Sequence, residues 1–220
     1  MHITISEKIK NVCPELQLGI ISATVENTET SDELWTKLLD ESEKIKISYQ
    51  IEDINKRPEI FSTRQAYKKL GKDPNRYRPS AEALCRRIAR DIPIYRLNTL
   101  VDIINIVSIS SGFSIGAFDM EKLQGNLILD SGTNDDQFEA IGRGLLNIEG
   151  LPVFRDEISG IGTPTSDCER TKINLDTKEI LIIINDYSGS SELNNTIDYC
   201  LNLLNDFAFL KKFEVRKISN

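Results

Sequence analysis

In the run LVDIINIVSIS, three polar side chains, Asp102, Asn105 and Ser108, recur at every third position of an otherwise apolar segment. That spacing puts a carboxylate, an amide and a hydroxyl on one helical face, a face that either meets a ligand or is simply the wet side of an amphipathic helix. Further acidic groups lie in TSDCER, where Asp167 and Glu169 sit in a loop, and at Asp119, which is placed to orient a substrate or to cap the helix that MEKL would begin. From Arg64 to Arg96 ten basic residues stand against three acidic ones, a local charge of +7 in a chain whose net charge is −7. Tyr67, Tyr77 and Tyr95 are interspersed among them. Arginines with tyrosines between them suit phosphate contacts and stacking on unpaired bases, although a solvated basic face has the same composition. Arg76, Arg78, Arg86 and Arg87 are the candidates for that role. The overall negative charge argues against indiscriminate coating of nucleic acid.

Some chemistry is disfavoured. The only histidine is His2, at a terminus expected to fray, which leaves no imidazole base and no histidine-rich metal site. Cys13, Cys85, Cys168 and Cys200 lack the paired short spacing of a zinc site and read as reduced thiols packed in a core. No metal or cofactor is expected. No membrane-length apolar run and no signal-peptide pattern is present, so the expected location is the cytoplasm.

The elements that must position these residues can be read from periodicity. Leu16 to Val25 reads as a strand, and a helix follows in which Thr30 and Glu33 have capping-box spacing and Leu34, Leu38, Ile45 and Tyr49 keep one face apolar. Ser62 with Gln65 repeats that spacing ahead of a short helix over 63–70, which Gly71 and Pro74 would stop. Pro79 suits the first position of a helix through SAEALCRRIAR, and Asn98 to Ser111 reads as a helix with Gly112 as its left-handed cap. FSIGAFD, GNLILD, LPVFRDE and EILIIIND then read as strands, the all-apolar Ile180 to Ile184 being central. Ser191 to Leu210 closes the chain as a helix. Helices followed by a sheet with a covering helix give an α/β layered domain, read as one domain over 1–220 with an N-terminal strand-and-helix elaboration over 1–60 and a C-terminal helix within 188–220.

NTLVDIINIV followed by GFSIGAFDMEKLQGNLIL resembles N-x-LVDITNYV, G-x-PLHAFD-x-DK and a strand, the consensus of the tRNA-editing module (third and fourth domains) of the beta subunit of bacterial phenylalanyl-tRNA synthetase. GIGTPTSDCERTKINLDTKEILIII is similar to that module's glycine-rich turn, acidic residue, threonine and apolar strand in the same order, and KLGKDPNRYRPSAEALCRRI resembles its freestanding relatives. The resemblance covers 64–187. It implies a three-layer sandwich of two sheet layers and a helical layer, with the charged 3′ end of a tRNA and its amino acid as partners. It further implies hydrolysis in trans of mischarged aminoacyl-tRNA. Asn105 falls on the family's pocket-facing asparagine and Asp102 on its aspartate. Two positions depart from the pattern: Gly116 stands on the histidine of PLHAFD, and Ile104 on a threonine. The ester is already activated, so a positioned water and oxyanion donors suffice, from Asn105, the backbone near Gly116, and Asp167 or Glu169. A noncatalytic tRNA- or RNA-binding module and an amino-acid-binding protein remain the alternatives, because Gly116 leaves the pocket without an imidazole. Oligomeric state is not legible.

Overall fold

The structure, a computed structural model, describes residues 1–219. In chain order the strands are β1 (Ile3–Ile5), β2 (Gln17–Thr24), β3 (Ser114–Asp119), β4 (Leu127–Ser131), β5 (Glu139–Ala140), β6 (Gly144–Leu145), β7 (Pro152–Arg155), β8 (Gly160–Gly162), β9 (Glu179–Asp186) and β10 (Lys212–Ser219). The helices are α1 (Glu7–Val12), α2 (Asp32–Ser48), α3 (Pro58–Lys69), α4 (Ser80–Ile88), α5 (Thr99–Ser111) and α6 (Glu192–Phe207).

Two four-stranded sheets and a helical layer make a three-layer α/β sandwich. One sheet has the order β10-β2-β9-β3, all antiparallel; the other is β1-β4-β7-β8, with β1 parallel to β4. β9 shows why the first sheet is the middle layer. Ile180, Ile182 and Ile184 pack among α2, α5 and α6, while Leu181 and Ile183 pack against Ile3, Leu127, Leu129 and Phe154 of the other sheet. A strand covered on both faces has no solvent side to alternate towards, which is why it reads as an unbroken apolar run. β2 repeats the division, with Ile21 and Ala23 towards the helices and Leu18 and Ile20 towards the other sheet. No helix among the described residues is long and apolar enough to cross a membrane.

Several local expectations are corrected. Ser31, not Thr30, caps α2, accepting from the Leu34 N–H at 3.2 Å, and Thr30 turns its hydroxyl to Asp102. α3 begins at Pro58, five residues before the expected start, because proline already holds the backbone angle of a first helical turn. Ser62 therefore lies mid-helix and donates to the Glu59 carbonyl. Pro79 is the N-cap of α4 rather than its first residue. The chain does not close on a helix: α6 stops at Phe207, Phe209 takes φ +47°, and β10 returns along β2. The N-terminal 60 residues supply β2, an inner strand of the middle sheet, and are thus not an elaboration. Nor is the start of the chain loose, since the His2 carbonyl accepts from the Leu127 N–H and its own N–H reaches Asn126 Oδ1.

Candidate functional site

α5 is held at both ends. The Asn98 side chain accepts from the Val101 N–H at 3.0 Å, and Gly112, at φ +86°, ends the helix. Leu100, Ile103, Ile106 and Val107 bury one side of it in the core beside the middle sheet. Val101, Ile104, Asn105 and Ser108 line a cavity of about 420 Å³ on the other side. Ile115 and Ala117 of β3, Leu84 and Ser80 of α4, and Leu97, Asn98, Ile141, Ile173, Lys172 and Asp167 complete its walls. Asn105 and Ser108, two of the three polar side chains spaced along α5, therefore face an apolar cavity. The third, Asp102, is fully buried outside it, accepting from Thr30 Oγ1 at 2.5 Å and from the Leu97 N–H at 3.2 Å. Burial pushes its carboxyl up, against those hydrogen bonds and the Arg96 charge. It ties α5 to the segments before α2 and α5 rather than touching a ligand.

Asp167 arrives from the loop after β8. That loop is a tight turn in which the Thr163 N–H donates to the Ser166 carbonyl and Thr163 Oγ1 accepts from the N–H groups of Thr165 and Ser166. The turn is fastened to neighbouring helices by Tyr67, whose hydroxyl is 2.8 Å from Thr165 Oγ1, and by the Ser80 N–H, which donates to the Pro164 carbonyl. Asp167 Oδ2 then accepts from the Ala117 N–H of β3, an edge strand, at 3.1 Å. The position depends on glycine: a Cβ at Gly162 would lie 2.7 Å from Asp167 Oδ1 and 2.6 Å from Phe118 Cζ. Burial raises the Asp167 carboxyl to about 7, opposed by the Ala117 hydrogen bond, and no cation pairs with it among the described residues. An aspartate so placed gains or loses its proton near neutrality, which suits a general acid or base.

Gly116 does not line the cavity. A Cβ there would sit 2.8 Å from Phe118 Cζ and 3.4 Å from Asp167 Oδ1, so the Phe118 ring and the Asp167 carboxylate occupy the space towards which a side chain at 116 would point. Glu169 is also outside, its carboxylate held by Lys172 Nζ at 2.5 Å and by the Gly142 N–H; the Lys172 hydrogen bond chiefly keeps it below the usual carboxylate range. Asp119 is buried at the far end of β3, accepting from the Glu121 N–H and Thr177 Oγ1 and lying 3.2 Å from Lys122 Nζ. It caps the short 3-10 turn over 120–122 and does not reach the cavity.

Beside the cavity runs a groove of about 440 Å³ lined by Arg78, Arg86, Arg87, Arg90 and Arg143, with Ser80, Leu84 and Asn105 common to both. Arg86 is steadied by Glu82 Oε1 at 2.7 Å, and Arg87 by the Pro93 carbonyl and the Tyr95 ring. The basic segment is thus divided by function. Arg64 is buried on Glu82 at 2.7 Å and Lys72 donates to the Asn147 carbonyl, so these two are spent inside the fold, while Arg96, at the surface, is tied to the Thr30 carbonyl and Asp32 and lies outside the groove. Arg76 lies outside the groove, over the Tyr77 ring. Arg90 and Arg143 were not among the sequence candidates. Arg143 sits between Gly142 and Gly144, both at positive φ, in the β5–β6 hairpin, and IGRG is its only sequence signal.

A search of curated proteins finds no match. Among solved structures the chain is similar to an N-terminal fragment of the phenylalanyl-tRNA synthetase beta-subunit from Pyrococcus horikoshii, at 13% identity and a TM-score of 0.48, over 100% of this chain and 54% of that one. The chain therefore spans about half the length of that fragment. The model of the B3/4 domain family matches residues 62–204, a stretch that holds every side chain lining the cavity and the groove. With about two thirds of its length so matched, the chain belongs to the B3/4 domain family.

Proposed function

We propose that this protein binds the charged 3′ end of a tRNA and hydrolyses the ester of mischarged aminoacyl-tRNA in trans. The observation that carries the reading is the junction at Asn105, where an apolar cavity holding one carboxylate opens into a groove of five arginines. A ligand matching both would have a compact, largely apolar end and a polyanionic end, which an aminoacylated acceptor strand has. Membership of the B3/4 domain family supports a tRNA-related role.

In this reading the arginines hold the phosphates of the last nucleotides, as positioning rather than sequence readout. The aminoacyl side chain enters between Val101, Ile104, Ile115 and Ile173. At the junction the Asn105 amide donates to the ester carbonyl as negative charge develops on it. Asp167, in its carboxylate form, takes a proton from the attacking water and returns it to the terminal ribose oxygen as the ester C–O bond breaks. Burial raises the Asp167 carboxyl to about 7, so the acceptor form is populated near neutral pH. Gly116 favours a second reading, a module that binds tRNA without hydrolysing it, since the family's imidazole is missing and its space is filled.

Purified protein incubated with a panel of correctly and incorrectly charged tRNAs separates the two. The catalytic reading expects at least one mischarged species to lose its amino acid faster than spontaneously, and Asn105→Ala to slow that by about 10- to 100-fold. No acceleration across the panel, with tRNA binding retained, establishes the module instead.

A further inference from the structure

β10 forms one border of the middle sheet: β2 pairs along its whole length on one side, and among the described residues no strand pairs on the other. An open edge is a template for another strand. This one is apolar as well as open. Phe213 and Val215, which lie opposite Ala23 and Ile21 on the helical side, are 56% and 38% exposed, and Phe209 just before them is 65% exposed. On the other face Glu214 and Arg216 stand 3.5 Å apart at their nearest atoms.

The order of these residues selects one occupant. In an antiparallel pair, opposed residues turn their N–H and C=O groups towards each other or away from each other together. A strand pairing with its own copy can therefore place its two-fold axis only on a residue. Centred on Glu214, the pairing would oppose Glu214 to Glu214 and Lys212 to Arg216. Centred on Arg216, it would oppose Arg216 to Arg216. Centred on Val215, it opposes Val215 to Val215 and sets Glu214 against Arg216 of the second copy, twice. In that register Lys217 meets Phe213 and Lys212 meets Ile218, so no like charges face each other. Opposite charges across a strand pair stabilise and like charges destabilise, so among centres on Glu214, Val215 and Arg216 the sequence KFEVRKIS favours Val215. A centre on Phe213 would also set Glu214 against Lys212, but it opposes only residues 212–214 of the strand to one another, against 212–218 for Val215. The lysines that would blunt casual pairing are compatible with this one.

We propose that β10 is a dimer seam, at which two copies of this chain pair antiparallel about Val215. The two middle sheets become one eight-stranded sheet, and Phe213 and Val215 of both copies are covered. Both copies use the same surface, as a closed two-fold dimer requires.

Sedimentation equilibrium of the whole chain over a concentration series tests this with Glu214→Arg, Arg216→Glu, the double swap and a mixture of the two single variants. The wild type is expected to dimerise. Each single variant, with like charges opposed at two points, should dissociate about tenfold more readily or more. The double swap should restore dimerisation, and the mixture should form heterodimers more stable than either variant alone. Both recoveries score pairing rather than folding, and equal thermal midpoints at concentrations where every form is monomeric complete the control. A wild type monomeric at its solubility limit overturns the proposal. So does a dimer indifferent to both single changes, or a double swap as weak as the singles.

Discussion

The cavity beneath α5 and the groove beside α4 share Ser80, Leu84 and Asn105, yet they treat charge in opposite ways. In the cavity the Asp167 carboxylate stands among Ile104, Ile115, Ala117 and Ile141, the cation in the lining, Lys172, is paired with Glu169, and burial raises Asp167 to about 7. None of the groove's arginines offsets that rise. In the groove Arg78, Arg90 and Arg143 are exposed, and Glu82 steadies only Arg86. The difference separates two tasks: the dry side can adjust a proton, and the wet side can hold a polyanion whose grip salt weakens. Changes on the dry side should alter the chemical step, and changes on the wet side should alter binding.

The largest effect is expected from Asp167→Asn, which keeps an acceptor for the Ala117 N–H but removes the proton acceptor. Hydrolysis should fall about 100-fold. In the wild type the rate should climb as pH rises through about 7, because the working form is the carboxylate, and level off above it. In the variant that climb should vanish. Next is Gly116→His, which installs the histidine of the resembled PLHAFD pattern. The new side chain must displace the buried Phe118 ring and press on Asp167, so denaturant unfolding should show a loss of about 2 kcal/mol rather than a gain of function.

On the wet side, the triple replacement of Arg78, Arg90 and Arg143 by alanine should weaken tRNA binding about tenfold. It should also lower the slope of log affinity against log salt by about 2, and leave the rate at saturating substrate unchanged. A rate loss at saturation would place these arginines in the chemical step and erase the division between the two regions.

The smallest expected effect is on stability. An unfolded chain releases an aspartate proton near pH 4, whereas the folded protein keeps the Asp167 proton to about 7. Between those values the folded state binds more protons, so stability falls as pH rises across that window. Asp167→Asn has no such loss. Its melting temperature relative to wild type should therefore rise between pH 4 and pH 8.

How much of this was legible in the sequence differed by element. β9 and α5 were, because a strand covered on both faces and a helix with an asparagine cap and a glycine stop carry their own signals. β1 and β10 were not: one has three residues, and the other is exposed on both faces, so neither has a marked apolar pattern. The spacing of Asp102, Asn105 and Ser108 was visible. It did not reveal that Asp102 would be consumed by Thr30, 72 residues away in the chain, while Asn105 faced a cavity. The charge count over 64–96 likewise overstated the groove, because Arg64 is an internal tie to Glu82 and Arg96, although at the surface, is held by the Thr30 carbonyl and Asp32 away from it. Arg143 joins the groove only through tertiary contact, and IGRG by itself announces only a turn.

The central claim is that cavity and groove hold two ends of one ligand. Its most direct test is to measure the affinity of uncharged tRNA against tRNA bearing non-hydrolysable, amide-linked apolar amino acids, for the wild type and for Asn105→Ala. The charged form should bind the wild type about tenfold more tightly with at least one amino acid. Asn105→Ala should close that gap without changing the affinity for uncharged tRNA. Equal affinity for charged and uncharged tRNA across the amino-acid series would contradict the account.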